Sequence, residues 1–510
     1  MSGYVTDTPY TWGFYGELSP VYLNFISALN GQRPRPLDDG FTYCELGCGN
    51  GVSVNILAEL FPQGQFTGID LMGEHIEAAA GIAGDAGLNN AVFQELDFND
   101  LTEADLPPFD FITLHGVYSW IDPDAREALR AFLKSNLKDG GIAYVSYDTL
   151  PGWAAIAPLR DLVLDHTKDT AGDTRTKAQA GLDFLQFLKD NKAGYFADNP
   201  PAAAFVDEIA KHDMTYVAHE FFGEAVKPYY FHQVATEMRS AGLNYSGSAI
   251  PHLNFVDLAA PAEFHDLLKK SATRIEFETH GDFIRNQRFR KDVFVKGGKN
   301  LAEAEQADIL MDTPFGLACA LDQFNRTVMF GDVELNYAAD LFGNVLEHLA
   351  AGAKRGRDLA EMDDLKSYGP ELVMDAIRFL TAGGQVLPFA AETTAPGEAA
   401  LTADRYELIG EVNLSHLKRR LLTQPAIGLA GGSAGIGIEV AMADALFALC
   451  SVESNRDGVA DWAFNRLLES GREMVVEGGN EAQALAEAVD KFRASRLAKF
   501  LELGILAPAS

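Results

Sequence analysis

Residues 41–51 read FTYCELGCGNG, and an apolar segment with helical spacing follows them. An apolar strand that runs into alternating glycines predicts a strand, a tight turn and the start of a helix. Gly47, Gly49 and Gly51 allow the backbone to adopt positive φ and to approach a ligand closely. The free N–H groups of a helix that begins near Val52 would point at whatever the turn holds. This stretch therefore predicts a binding site for a small charged cofactor.

The spacing of the glycines separates the cofactors that such a turn binds, which include NAD, FAD and S-adenosylmethionine. Dinucleotide sites use G-x-G-x-x-G, whereas here the third glycine comes one residue early and Val52 takes the position of the last. Glu45 precedes the turn, where its carboxylate would repel a pyrophosphate but would suit the ammonium group of a methionine moiety. The pattern therefore favours S-adenosylmethionine.

Two further candidate anchors follow the next two predicted strands. Asp70 ends the apolar run 66–69, where a carboxylate can accept hydrogen bonds from ribose hydroxyls. NAD sites use the same contact, so Asp70 alone does not separate the cofactors. Asp97 and Phe98 follow the run 91–96, where an acid can accept from the adenine amino group and a ring can lie against the base. Taken singly, these features also fit loop glycines, a solvated Asp and a core Phe.

Four segments of the chain resemble class I S-adenosylmethionine-dependent methyltransferases: FTYCELGCGNG, GIDLMGEHIEAA, FDFITLHGVYSWI and LKDGGIAYVSYDTLPGW. More narrowly, they are similar to the bacterial group that carries a methyltransferase regulatory domain. That group includes protein-lysine methyltransferases that modify rickettsial outer membrane proteins. Residues 10–20 and 216–221 are similar to the same group. The resemblance is strong over about residues 10–155, moderate to about residue 300 and weak beyond.

The resemblance implies a Rossmann-like sheet of seven strands, whose sixth and seventh strands form an antiparallel pair. It also implies that the N-terminal segment, which contains Tyr10, Trp12 and Phe14, folds over the cofactor. The motifs and the resemblance together predict this set of cofactor-binding residues: Tyr15, Glu45, Gly47, Cys48, Gly49, Asn50, Gly51, Asp70, Leu71, Asp97, Phe98 and His115.

Methyl transfer to an amine requires alignment and desolvation rather than a metal or a covalent nucleophile. Bringing a lysine to its neutral form at pH 7 costs roughly 4–5 kcal/mol, which burial among aromatic rings reduces. Four aromatic residues are predicted to wall the acceptor channel and to hold a cation: Tyr118, Trp120, Tyr147 and Trp153. They could equally be core and rim aromatics. His115 would take a proton or, as we favour, contact the cofactor.

Composition restricts the partners of the protein. The chain has 510 residues and a formal net charge of −32, from 73 acidic and 41 basic residues. A strongly acidic chain argues against nucleic acid as a partner, because phosphate binding needs a positive field. The charge suits a basic acceptor such as a protein with accessible lysines, although solubility alone would also explain it.

Several patterns argue against other classes of protein. The four cysteines form neither a disulfide framework nor a C-x-x-C pair, which predicts reduced thiols in a cytoplasmic protein. The first residues lack the features of a signal peptide, and the apolar stretch 425–450 is interrupted by Glu439 and Asp444, so no membrane span is expected. The spacing of His212, His219 and His232 fits no standard metal site, so no metal is expected.

Strand and helix patterns alternate over the first 150 residues, as in a parallel sheet covered on both faces. Strands are predicted near 41–46, 65–70, 91–96, 109–114 and 141–147, and helices near 52–61, 73–85 and 123–136. Gly140 and Gly141 are expected to separate the last helix from the fifth strand. Further strands are predicted near 243–250 and 292–296.

Four regions are predicted from these patterns. Residues 1–150 form an N-terminal lid segment and the cofactor-binding core, and residues 151–225 a helical insertion that serves as a lid or a dimer surface. Residues 226–300 return to the sheet, and residues 301–510 form a mainly helical regulatory region. Within it, three short helices and a strand near 336–400 suggest a winged-helix-like unit. Its third helix carries Glu371 and Asp375 against one Arg, which favours protein contact over DNA binding.

Three functions remain open on the sequence. The favoured one is N-methylation of lysine side chains on a protein. The second is methylation of a small molecule, with the C-terminal half as a dimerisation or regulatory unit. The third is a regulatory protein that binds S-adenosylmethionine without turnover. The intact set of Glu45, Gly47, Gly49 and Asp70 argues against the third.

Overall fold

A seven-stranded mixed sheet forms the centre of the protein in the computed structural model, which describes residues 7, 10, 12–223, 225–472 and 480–509. The strand order is β3-β2-β1-β4-β5-β7-β6. The strands are β1 (Thr42–Leu46), β2 (Gln65–Asp70), β3 (Ala91–Glu95), β4 (Phe109–Leu114), β5 (Leu137–Asp148), β6 (Leu243–Ser248) and β7 (Phe289–Lys296).

The direction of the strands confirms the predicted Rossmann-like sheet. β1 to β5 pair in parallel, whereas β7 is antiparallel to both β5 and β6. The central strand β4, FDFITL, is buried along its whole length, as expected for a parallel strand covered on both faces. The carboxyl ends of β1, β2, β4 and β5 therefore meet at one edge of the sheet.

The core contains a helix that was not predicted, α1 (Pro20–Leu29), and three that agree with the predicted ones: α2 (Val52–Leu60), α3 (Gly73–Asp85) and α4 (Pro123–Asn136). The side chain of Asp122 caps α4 by accepting from the backbone N–H groups of Asp124 and Ala125, and Pro123 occupies the first turn.

The predicted start of the fifth strand was wrong. β5 begins at Leu137, directly after α4, because Leu137 is buried and pairs with Phe109. The register then shifts before Ile142 pairs with Phe111. Gly140, with φ +72°, lies in this irregularity inside the strand, so the glycine pair bends β5 rather than preceding it.

Residues 151–225 are helical, as predicted, and have an apolar core of their own. Leu182 and Leu185 are buried on one face of the longest helix, and Asn199 separates two other helices, the second of which begins with Pro200 and Pro201. The helices are α5 (Ala157–Thr167), α6 (Thr174–Asp190), α7 (Gly194–Asp198), α8 (Pro200–Ile209) and α9 (Met214–Phe222).

The chain then returns to the sheet through β6 and β7. Four helices accompany these strands: α10 (Phe231–Ser240), α11 (Val256–Ala259), α12 (His265–Lys269) and α13 (Arg274–Arg285). Arg290 of β7 is fully buried, and three carboxylates surround its guanidinium, those of Glu278, Asp282 and Asp292. This cluster ties α13 to the sheet.

The C-terminal region is mainly helical and contains small antiparallel sheets. Its helices are α14 (Glu303–Asp312), α15 (Asp340–Ala350), α16 (Gly356–Ala360), α17 (Pro370–Ala382), α18 (Glu398–Leu401), α19 (Glu411–Arg420), α20 (Met442–Glu453), α21 (Val459–Glu469), α22 (Glu481–Lys491) and α23 (Leu497–Leu503). Its strands are β8 (Pro314–Leu317), β9 (Thr327–Phe330), β10 (Val333–Asn336), β11 (Lys354–Arg355), β12 (Val386–Pro388), β13 (Tyr406–Leu408), β14 (Ala426–Gly431), β15 (Ile436–Ala441) and β16 (Leu506–Pro508).

The C-terminal region packs directly on the cofactor-binding core. The backbone N–H of Val412 donates to Glu59 of α2, and Arg419 of α19 forms an ion pair with Asp85 at the end of α3. Phe14 of the N-terminal segment lies against Gly428 and Gly437, where a Cβ atom would meet its ring. The helices α2 and α3, which follow the first two strands, are thus covered by the C-terminal half.

The winged-helix prediction is not confirmed. Helices α15, α16 and α17 and strand β12 follow in the predicted order, and β12 pairs with β8 in a three-stranded antiparallel sheet with β11. Both this unit and the division of the chain at residues 150, 225 and 300 stay predictions. In the described part of the chain, no helix combines the length and the apolar character needed to cross a membrane.

Candidate functional site

A cleft lies at the edge of the sheet where β1, β2 and β4 end. Its main cavity contains about 830 Å³ of empty space, part of which is open to solvent. A smaller cavity of about 410 Å³ adjoins it and shares four lining residues: Tyr10, Gly47, Gly49 and His115. The glycine turn and the end of the fourth strand therefore face one continuous space.

Glu45 is the most unusual residue of the smaller cavity. Its side chain is buried, and no described residue hydrogen-bonds to Oε2. Burial, together with the negative charge of Asp70, raises the pKa of Glu45 from 4.5 to about 8. Burying a carboxylate oxygen without a hydrogen-bond donor costs free energy, unless a ligand supplies the donor. An ammonium group supplies the donor and the charge that Glu45 lacks, so the site fits the methionine moiety of S-adenosylmethionine.

The glycines of the turn have different roles. The backbone N–H of Gly49 donates to Asp70 Oδ2 at 2.9 Å, and no heavy atom lies within 4 Å of a Cβ built on Gly49. A Cβ on Gly51, by contrast, would lie 2.4 Å from the Cβ of Ala79 and 2.9 Å from the ring of Phe93. Gly51, predicted to bind the cofactor, does not line the cleft. That prediction is corrected, because Gly51 lets α2 pack against α3 and β3.

Asp70 joins several parts of the site. Its Oδ1 accepts from the backbone N–H of Met72 at 2.9 Å and pairs with His75 Nδ1 at 3.0 Å. The other ring nitrogen of His75 accepts from the backbone N–H of Tyr10 at 3.0 Å. Because a carboxylate oxygen can accept two hydrogen bonds, Oδ2 can still receive one from a ribose hydroxyl. His75 was missed in the sequence, although a histidine one turn after Asp70 could have signalled it.

The far end of the main cavity is formed by the residues after β2 and β3. Leu71, Asp97 and Phe98 line it, and the role of Asp97 and Phe98 in holding the adenine stays a prediction. Asp97 also caps a short 3-10 helix, since its Oδ1 accepts from the backbone and the side chain of Asn99. The remaining predicted cofactor residues, Cys48 and Asn50, line the smaller cavity, where the Asn50 amide donates to the Tyr10 carbonyl.

One side of the smaller cavity is formed by His115 and by Tyr15 of the N-terminal segment. The rings of His115 and Tyr15 lie 3.8 Å apart between centroids, and His115 Nδ1 contacts the Tyr144 hydroxyl at 2.9 Å. Burial lowers the pKa of His115 to about 4, so the imidazole is neutral at pH 7. Glu17 pairs with Lys291 and lies 4.0 Å from His115. A neutral, stacked imidazole fits cofactor contact better than proton uptake.

The predicted aromatic wall of the acceptor channel needs correction. Trp120 lines the cleft, but the other three residues do not. The Tyr118 hydroxyl donates to Glu237, the Tyr147 hydroxyl donates to Asp292 at 2.6 Å, and Trp153 packs in the core of the insertion. All three are buried inside the fold because their hydroxyls or rings find partners there. They therefore cannot touch an acceptor in the cleft.

Residues from the helical insertion complete the cleft. His219 and Glu220 of α9 line the main cavity, as Trp120 does, and the ring of Tyr10 meets His219 edge-on at 4.9 Å between centroids. Sequence reasoning did not assign His219 or Glu220 to the site, although the segment 216–221 carried part of the family resemblance. Among the described residues, no group of three or more His, Cys, Asp or Glu side chains could hold a metal ion.

Comparison with known proteins agrees with the geometry. A family described as "Methyltransferase domain" matches residues 37–181, and one described as "Predicted methyltransferase regulatory domain" matches residues 213–296. The uncharacterized protein sll1526 of Synechocystis sp. is 32% identical over 513 aligned residues, which cover 99% of each chain. The uncharacterized protein RP789 of Rickettsia prowazekii is 30% identical over 56% of this chain and 51% of its own length.

A solved structure has the same fold over nearly the whole chain. The structure of PKMT2 from Rickettsia typhi in complex with AdoHcy covers 98% of this chain and 100% of its own, with a TM-score of 0.75 and 21% identity. The strand order of the sheet, the glycine turn with Glu45 before it and the cleft at the strand ends together define a class I methyltransferase. The chain belongs to the family of class I S-adenosylmethionine-dependent methyltransferases that carry a methyltransferase regulatory domain. Its cofactor is S-adenosylmethionine.

Proposed function

We propose that this enzyme methylates the side-chain nitrogen of lysine residues on a protein. The observation that carries the proposal is the wall of the main cavity, whose lining includes both Trp120 and Glu220. An aromatic face and a carboxylate attract a primary ammonium by cation–π and charge interactions. They would repel an anionic acceptor.

The cofactor would be held by residues of three strand ends. Glu45 would bind the ammonium of the methionine moiety, Asp70 Oδ2 a ribose hydroxyl, and Asp97 and Phe98 the adenine. When bound, S-adenosylmethionine supplies a methyl group on a positively charged sulfur. The half-buried ring of Tyr15, which lies against His115, would limit the access of water to that part of the cleft.

The residues of this chain must then align an amine and manage its proton. A lysine is protonated in water, and reaching the neutral form costs roughly 4–5 kcal/mol at pH 7. His115 is a poor proton acceptor because its pKa is lowered to about 4. The cleft therefore needs another group to accept the proton, and carboxylates with raised pKa values are suited to this role.

A protein acceptor is favoured over a metabolite by the charge of the chain and by the elements around the cleft. The net charge of −32 attracts basic segments. The main cavity is lined by the N-terminal segment, the sheet edge and the helical insertion, so a chain segment has several elements to contact. The name of PKMT2, which shares the fold at 21% identity, supports the same choice. A homodimer through the insertion stays a prediction, as does a cytoplasmic location.

The test is to follow the methyl group. The purified protein is incubated with S-adenosylmethionine carrying a labelled methyl group and a bacterial lysate, and labelled peptides are sequenced by mass spectrometry. We expect the label on lysine side chains, and we expect Asp70→Ala to abolish it in a matched reaction. Label confined to small molecules, or to other side chains, would overturn the lysine proposal.

A further inference from the structure

Two acidic side chains next to the cleft have no role in binding the cofactor. Glu220 of α9 lines the main cavity, and Asp148 is the last residue of β5. Asp148 is buried, and within the described part of the chain its Oδ2 has no hydrogen-bond partner. The backbone N–H of Asp148 donates to the hydroxyl of Ser119 at 2.9 Å, which places Asp148 directly behind the loop that carries Trp120.

We propose that Glu220 and Asp148 form an ammonium subsite, which binds the acceptor's charged nitrogen against Trp120 and takes its proton before methyl transfer. Glu220 would stand in front, on the cleft, and Asp148 behind it. This inference rests on the proposed function, since it specifies how a lysine side chain is received. In this proposal Glu220 is a catalytic residue that contacts the acceptor nitrogen. Asp148 is a positioning residue that acts through Glu220.

The electrostatics of the pair support this role. The charge of Glu220 raises the pKa of Asp148 further than burial alone, and burial raises the pKa of Glu220 to about 8. Glu220 is half-buried and Asp148 is buried, and two carboxylates that interact in this way do not both ionise readily without a cation beside them. An arriving ammonium supplies that cation. A raised pKa makes Glu220 a better proton acceptor than an ordinary Glu, because its carboxylate holds a proton more tightly.

The groups that face the pair come from several elements. Arg288, just before β7, opposes the rise of both pKa values, but its guanidinium is engaged by Glu208 of α8 at 2.9 and 3.0 Å. Burial raises the pKa values of the Tyr216 and Tyr15 hydroxyls, and the negative charge of Glu220 raises them further. Both hydroxyls are therefore neutral. Trp153 does not line the cleft. It hydrogen-bonds to Asp148 and so helps to hold the Asp148 carboxyl in place.

The proposed step balances. One N–H bond of the ammonium breaks, the proton passes to a carboxylate oxygen of Glu220, and the electron pair stays on nitrogen. That pair forms the new N–CH3 bond while the bond between the methyl carbon and the positively charged sulfur breaks, with its electrons going to sulfur. The methylated nitrogen leaves with a positive charge, and Glu220 returns its proton to solvent through the open cleft.

The first test measures binding without turnover. Binding of n-butylammonium, and of n-butanol as its neutral counterpart, is followed by NMR in the AdoHcy-loaded protein. We expect Glu220→Gln to weaken n-butylammonium binding about 10- to 100-fold and to leave n-butanol binding unchanged. Asp207→Asn serves as the control, because Asp207 is an exposed acid of α8 outside the cleft. Equal binding of n-butylammonium by wild type and Glu220→Gln overturns the subsite.

The second test is the pH profile of kcat/KM for a peptide whose lysine the enzyme methylates. In wild type the rate should rise with pH through the ionisation of the pair, whereas in Glu220→Gln the rise should move towards the pKa of the free amine. Asp148→Asn should shift the profile in the same direction, with cofactor affinity unchanged; if this variant fails to fold, Glu220→Gln alone decides. An unchanged profile in Glu220→Gln refutes the proton transfer. Methylation of a residue other than lysine would instead refute the proposed function, while the ammonium-binding result would stand independently.

Discussion

The two ends of the cleft are built in different ways. The cofactor end comes from one continuous piece of chain, in which Glu45, Asp70 and Asp97 follow successive strands. The proposed acceptor end would be assembled from distant parts of the chain: Tyr10, Trp120 and Glu220, which line the main cavity, and Asp148, which lies behind the loop that carries Trp120. The cofactor end is explained by the topology of the sheet, because parallel strands bring their carboxyl ends together at one edge. The second depends on how an N-terminal segment and a helical insertion fold back on that edge.

This difference has a functional meaning. The cofactor end has one ligand to bind, and its groups are fixed by backbone hydrogen bonds such as those from Gly49 and Met72 to Asp70. The acceptor end includes a helix that belongs to the insertion, so it can differ between relatives without disturbing cofactor binding. We therefore expect substitutions at the two ends to separate cofactor affinity from acceptor use.

The largest expected effect concerns the turn that supports the cofactor end. Gly51→Ala should destabilise the fold by ~2–5 kcal/mol, because φ is +69° and the new Cβ would collide with Ala79 and Phe93. Urea unfolding of the cofactor-free protein measures this. Gly49→Ala is the matched control: its Cβ meets no described atom within 4 Å, so it should cost only ~1–2 kcal/mol and act on cofactor affinity instead. Equal destabilisation by both variants would contradict the separate roles of the two glycines.

The next effect concerns the buried carboxylate. Glu45→Gln should weaken S-adenosylmethionine binding about 10- to 100-fold in calorimetry, because a charge-assisted hydrogen bond is lost. The cofactor-free variant should nevertheless be the more stable protein at pH 8. The pKa of Glu45 is raised from 4.5 to about 8 in the folded state, so the folded wild type keeps a proton that the unfolded chain releases. Its stability relative to Glu45→Gln therefore falls as the pH rises from about 4.5 to about 8. A constant difference across that range would disprove the burial of an unpaired carboxylate.

A smaller effect is expected at the acceptor end. Trp120→Leu keeps an apolar side chain but removes the aromatic face, so the KM for a lysine peptide should rise about 10-fold. The dissociation constant of S-adenosylmethionine should stay within about 2-fold, since the ring lies beyond the glycine turn. Steady-state kinetics and calorimetry on the same preparation separate the two quantities. A loss of cofactor affinity without a change in KM would place Trp120 at the wrong end.

The smallest effect is expected at a residue that sequence analysis assigned to the acceptor channel. Tyr118→Phe removes the hydrogen bond to Glu237 and should cost about 1 kcal/mol of stability. Because Tyr118 lies outside the cleft, kcat/KM should be unchanged within error. A large drop in kcat/KM, with the fold intact, would restore the original prediction for Tyr118.

The comparison also explains what could be predicted from the sequence. The glycine turn, Glu45, Asp70 and Asp97 were predicted to lie together because strand ends in an alternating pattern have a known common edge, and the structure places them around one cleft. Tyr118, Tyr147 and Trp153 were misplaced, since an aromatic near a strand end can point into the core as readily as into a cleft. Gly51 was assigned to the cofactor because sequence does not show which side of a turn a neighbouring helix occupies.

His75, His219 and Glu220 could not be found in that way. Their positions depend on contacts across long stretches of chain, such as the hydrogen bond from Tyr10 to His75. The start of β5 was also misjudged, because Gly140 usually marks a boundary but here bends a strand whose register is set by Leu137 and Phe109.

The most direct test of the account is a crystal structure of the protein with AdoHcy and a lysine peptide. We predict that the homocysteine ammonium lies at Glu45 and that the lysine nitrogen lies between Trp120 and Glu220, within reach of the sulfur. The account would be contradicted if the lysine reached the sulfur from the separate cavity lined by Tyr22, Lys291 and Pro388. In that case, the part of the cleft lined by Trp120 and Glu220 would not be the site that receives the acceptor.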